Sequence, residues 1–195
     1  MNEKPQVKLA ETVVLIDAAY LNLVIIDMQG YFENILHRPL QEIDLAQLAL
    51  YLTLDAGLTE GENEVQFLFV YDKEGARIVN CQPSDFKNEL NNVAFKSSYG
   101  EFFFATVCTE DVVTREDLFL DLLALVTDSP DVKRVIAVPF NEDYGERVIE
   151  ALKAVEGKEI TQLMMVEPKS PLPYKWDMLA FPVMQALGIK ADELE

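Results

Sequence analysis

Five short runs of apolar and β-branched residues, each separated from the next by a helical pattern, constrain this chain more than any other feature. They are Thr12–Asp17, Val65–Asp72, Glu101–Cys108, Arg134–Val138 and Ile160–Val166. Each is apolar nearly throughout, as strands buried on both faces of a parallel sheet are. A sheet with one wet face would alternate apolar with polar residues instead. Between the runs, Asp44 caps a helix that begins at Leu45 and ends near Gly57, and Ser84 opens a short helix after Pro83. Thr114–Thr127 reads as a strong helix, and Asp143–Val155 as another, stopped by Gly157. The alternation predicts a three-layer, Rossmann-like α/β domain with a mainly parallel central sheet of about five strands and right-handed crossovers.

Two segments read differently. From Ala19 to Leu36 the pattern is a helix apolar almost all round, which calls for burial or an interface. After Val166 come Pro168, Pro171 and Pro173 with Tyr174 and Trp176, an extended arm, then a helix over roughly 177–187 ended by Gly188. The division expected is an α/β domain over 1–167 and a Pro-rich helical arm over 168–195, packed on the same domain or on a partner subunit. A chain of 195 residues suffices for one such domain with a full core.

Charge narrows the partners. Lys and Arg number 16 against 34 Asp and Glu, a formal net charge of -18. Long-range repulsion disfavours RNA and anionic membranes and leaves a protein partner or a second copy as the better expectation. Between Pro39 and Asp72 there is no Lys or Arg, and from Ser97 to Asp131 Arg115 stands alone. Cys81 and Cys108 form no metal or redox motif and read as free thiols of a reducing compartment. Met1–Gln6 lacks the character of a leader, and no apolar run is long enough to span a bilayer, so a soluble cytoplasmic protein is expected.

Ligands of open parallel sheets bind at the carboxyl ends of the strands. Asp17 closes the first strand, Asp117 and Asp121 lie one turn apart in the third helical segment, and Asn141 and Asp143 follow the fourth strand. Oxygen donors converging there would suit a hard divalent cation.

These segments, taken in order, resemble the NYN domains of the PIN-like nuclease superfamily. Val14-Leu-Ile-Asp17-Ala-Ala-Tyr-Leu-Asn22 is similar to that family's first strand and its Asp-Gly turn. Thr114-Arg-Glu-Asp117 resembles its Lys-Gly-Val-Asp segment, and Pro139-Phe-Asn141-Glu-Asp143 its Ser-Gly-Asp-x-Asp turn. The resemblance runs from Thr12 to Val166. It implies a Mg²⁺- or Mn²⁺-dependent ribonuclease with Asp17, Asp117 and Asp143 as catalytic carboxylates and Asp121 and Asn141 completing the metal set. Asn22 and Arg115 would touch substrate. The departures are specific: Ala18, Arg115 and Phe140 stand where the pattern has glycine, and Asn141 where it has Asp. Such glycines permit close backbone approach to a ligand, so their loss implies a reshaped site.

Each position also has a purely structural account. Asp17 can cap the following helix, Thr114-x-x-Asp117 is a capping-box variant, Asp121 can mark an exposed face, and Asp143 can be an N-cap. If the reaction is retained, the metal would activate water against a phosphodiester. Against the ribonuclease stands a catalytically inactive PIN-like scaffold acting as an interaction module, and, third, an unrelated Rossmann-like small-molecule binder. His37 is the single histidine, which leaves a Ser-His-Asp triad without support.

Overall fold

The computed structural model describes residues 8–195; residues 1–7, including the Met1–Gln6 stretch read for a leader, lie outside it. The first strand, β1 (Thr12–Asp17), has all six residues buried. Successive side chains point to opposite faces of a sheet. Val14 and Ile16 enter one hydrophobic layer and Val13 and Leu15 the other. A strand this apolar needs helices on both sides, and it has them.

One face is covered by α1 (Ala18–Leu36), α2 (Leu45–Asp55), a helical turn at Phe86–Leu90 and α5 (Ala180–Ala186). The other is covered by α3 (Arg115–Asp128) and α4 (Asn141–Lys153). The remaining strands of the main sheet are β3 (Asn63–Tyr71), β5 (Val93–Ser97), β6 (Gly100–Cys108), β7 (Arg134–Val138), β8 (Glu159–Met164) and β9 (Lys175–Met178). Residues Ile43–Asp44 (β2) pair with Cys81–Gln82 (β4) in a small separate ladder. The main sheet runs β5-β6-β3-β1-β7-β8-β9, parallel throughout except for antiparallel β5. Leaving β5 aside, the parallel strands in chain order occupy positions 3-2-1-4-5-6, the Rossmann arrangement. The chain winds outward from β1 in both directions, so the switch point lies between the carboxyl ends of β1 and β7.

The α/β class and the mostly parallel sheet agree with expectation, and the strand count does not: seven strands form the sheet where about five were anticipated. The edge strand β5 has only partly buried or exposed side chains, so its run carries no buried-strand signature. The turn into β6 is made by Gly100 (φ 125°), where a Cβ would run into the Asn63 backbone. Strand β9 lies in the segment read as an extended arm, and it extends the sheet by pairing with β8. Leu179, Val183 and Leu187 then anchor α5 in the core, so the arm packs on the same domain. Asp177 accordingly sits in a strand, and the last helix starts at Ala180.

Helix starts were legible where a side chain caps. Asp44 accepts from Ala46 and Gln47 N–H, and Thr114 from Asp117 N–H. The short helix is capped by Asp85 rather than Ser84. Helix α4 begins two residues before the expected Asp143, with Phe140 at the cap position and no side-chain cap bond.

Candidate functional site at the carboxyl ends of the parallel strands

Asp17 is the last residue of β1 and, by alternation, points toward the α3–α4 face. Its side chain is fully buried, and a bare carboxylate there would carry a large desolvation penalty. Four donors offset it. Ala19 N–H and Tyr20 N–H donate at 3.0 and 3.2 Å, which makes Asp17 the N-cap of α1. Tyr144 OH donates at 2.6 Å, and Arg115 Nε at 2.9 Å.

Arg115 is the first residue of α3, and its guanidinium reaches a second carboxylate: Nη1 donates to Asp72 Oδ2 at 2.7 Å. Asp72 directly follows β3, the neighbour of β1 in the sheet. One cation thus bridges acids at two adjacent strand ends. Burial works against the Arg115 charge, but the carboxylates of Asp17 and Asp72 more than offset this and hold its pKa above the usual value. Its guanidinium carbon also lies 5.8 Å from the centre of the Phe140 ring, within reach of a cation–π attraction. Phe140 in turn packs against Tyr20, with ring centres 5.1 Å apart.

Tyr144 is positioned by an irregularity. Helix α4 leaves helical geometry at that residue (φ -133°, ψ 18°), and its ring is buried against Phe119 of α3. Burial, then the charge of Asp17, raises its pKa, so the hydroxyl stays protonated and donates. Tyr20 is likewise pushed up to about 12 by burial, despite the lowering effect of Asn141; its hydroxyl lies 3.4 Å from Glu142 Oε1.

The structure separates the other expected site residues. Asp117 is exposed and lies 3.7 Å from Arg147, whose guanidinium also pairs with Glu116. Asp121 and Asp143 are exposed on α3 and α4. Asn141 faces inward, but its amide donates to Pro139 and Leu163 carbonyls and its Oδ1 accepts from Gln162 at 2.8 Å. Gln162 in turn accepts from Tyr174, which ties β7 and β8 to the arm. Asn22 is occupied at both ends: Nδ2 donates to Arg77 O and Oδ1 accepts from Val79 N–H. It holds the loop after β3 and does not face the strand-end crevice as a free polar group.

Among the described residues no three His, Cys, Asp or Glu side chains are grouped to hold a metal ion. The donor set implied by the resemblance is therefore not assembled: Asp17 meets a guanidinium, and Asp117, Asp121 and Asp143 face solvent. A depression of about 500 Å³ is lined by Lys73, Cys108, Thr109, Glu110, Asp111 and Val112, none of them a member of this site, with Lys73 paired to Asp111 at 2.7 Å.

Over residues 6–194 the chain matches a family described as a family of unknown function, DUF6621. The chain belongs to this family. No curated protein and no solved structure matches it.

Two members of the site were missed from sequence. Asp72 directly follows β3 where Asp17 closes β1, and the adjacency of the two strands would have brought it in. Tyr144 had no signal, because its reach depends on the break in α4.

Proposed function

We propose that this protein keeps a Rossmann-like scaffold of the NYN/PIN-like kind without a working metal centre, and serves as an interaction module rather than as a ribonuclease. The observation that carries the reading is the Arg115 guanidinium held between Asp17 and Asp72 at the switch point. A divalent cation there would need carboxylate oxygens turned toward it. Those of Asp17 are already engaged by four donors, one of them a full positive charge. Two of the three residues standing where the resembled pattern has glycine, Arg115 and Phe140, lie together at this strand end, the guanidinium carbon 5.8 Å from the ring centre. The net charge of -18 argues in the same direction, since a nuclease must attract a polyanion. Among the described residues no helix is long and apolar enough to cross a membrane. The free thiols Cys81 and Cys108 support a reducing, cytoplasmic setting.

The test is calorimetric titration with Mg²⁺ and Mn²⁺, wild type beside Asp17→Asn, followed by incubation with single-stranded and structured RNA. The expected outcome is no metal binding that depends on Asp17 and no cleavage above the variant. Metal-dependent cleavage that disappears in Asp17→Asn would return the protein to the ribonucleases.

A further inference from the structure

Helix α1 resolves the ambiguity of its sequence in an unexpected way. One side is buried through Tyr20, Leu21, Val24, Ile25 and Met28. The other carries four large apolar side chains in water: Leu23 at 40% exposure, Ile26 at 54%, Tyr31 at 63% and Ile35 at 45%. Residues three and four apart share a helix face, so 23, 26, 27, 30, 31, 34 and 35 form one strip along the helix. Scattered exposed apolar residues need no explanation, but an ordered strip on a single helix marks a contact surface.

Two details specify what would cover it. Asp27 lies inside the strip, one turn from both Leu23 and Tyr31, and among the described residues its carboxylate makes no ion pair or side-chain hydrogen bond. Helix α1 has no Lys or Arg. Its other acid, Glu33, accepts from Gln29 and from Leu40 N–H. Gly30, also in the strip, has nothing within 4 Å of where a Cβ would stand, which leaves a notch for a close-approaching backbone. A second copy would bring another unpaired Asp27 and another charge of -18 toward the first. An anionic membrane would be repelled in the same way.

We propose that the outward strip of α1 docks a basic amphipathic helix of a partner protein, its apolar side on Leu23, Ile26, Tyr31 and Ile35 and a Lys or Arg meeting Asp27. The proposal rests on the interaction reading above and names the chemistry of the partner. Apolar anchors supply affinity, and the complementary charge supplies register and rate.

The probe is a synthetic helical peptide of Leu and Lys in amphipathic order, compared by fluorescence anisotropy at physiological salt with a scrambled peptide of identical composition. The acidic chain will attract both, so the difference is the readout. The ordered peptide should bind at least roughly tenfold more tightly than the scrambled one. Ile26→Asp, Tyr31→Asp and Asp27→Lys should each remove about that margin. Leu125→Asp, at a residue 55% exposed on α3 across the sheet, should leave it intact. Unchanged urea midpoints show that the variants fold. Equal binding of both peptides, or equal weakening by Leu125→Asp, would overturn the proposal. So would sedimentation of the wild type as a dimer that Ile26→Asp dissociates. The metal titration is independent: failed docking with no Asp17-dependent metal binding removes the strip and leaves the scaffold reading in place.

Discussion

Replacing Arg115 with Met removes the charge at the centre of the site while keeping most of the side chain's bulk. Asp17 would be left fully buried without its cation. Breaking a buried ion pair from one side typically costs about 3–5 kcal/mol. Two features lower that figure here. Three other donors still reach Asp17, and the Arg115 side chain is itself 22% exposed, so water moves into part of the space. The expected loss is therefore about 2–3 kcal/mol. Equilibrium unfolding in urea, followed by circular dichroism, is the assay of choice, because guanidinium is a salt and screens the pair. The double variant Asp17→Asn/Arg115→Met removes both charges and should recover about 1–2 kcal/mol relative to the sum of the single variants. A loss under about 1 kcal/mol in the single variant, with additive energies in the cycle, would refute the view that this pair organises the site.

Other expectations follow from the same geometry. Tyr144→Phe deletes a 2.6 Å bond to a buried charge and should cost about 1.5–3 kcal/mol in the same urea assay, without altering the strand content. Tyr20 titrates ordinarily near 10 and is held up to about 12 in the fold, so its contribution is complete below pH 10 and is lost as pH rises to about 12. Tyr20→Phe should accordingly flatten alkaline unfolding in that window, read by circular dichroism against wild type. At the other end of the scale, Arg38 and the backbone of Lys190 lower Glu193 to about 2. That contribution is present above the usual carboxylate pKa and is lost as pH falls through about 2, so Glu193→Gln should lower protection of the C-terminal segment at neutral pH, with the difference from wild type vanishing as pH falls to about 2, measured by hydrogen exchange. Gly100→Ala should cost about 2 kcal/mol or more, because its positive φ is strained for alanine and the new Cβ meets the Asn63 backbone.

What was legible in the sequence divides along a physical line. Strand β1 and strand β7 appear with their observed bounds, because strands buried on both faces must be apolar at every position. The caps at Asp44 and Thr114 appear too, since capping is decided within a few residues. Strands β5 and β9 were missed for the opposite reason: at the sheet edges, burial is partial and pairing supplies what composition does not announce.

The site follows the same division one level up. Sequence order correctly marked Asp17 as a strand-end acid, and the sheet topology places it beside the switch point between β1 and β7. Whether Asp17 meets a metal or a guanidinium depends on a rotamer of Arg115 and on the ring of Phe140, neither of which the spacing of acids reveals. The glycine positions were the better clue. Where the resembled pattern keeps two small residues, this chain has an Arg that pairs with the buried acid and a Phe whose ring centre lies 5.8 Å from the guanidinium carbon. A pocket meant to receive a solvated cation and a phosphate needs that volume open. On the reading proposed above, a paired charge and an aromatic ring at these positions leave no free carboxylate set for a cation, and recognition would pass to the exposed strip of α1.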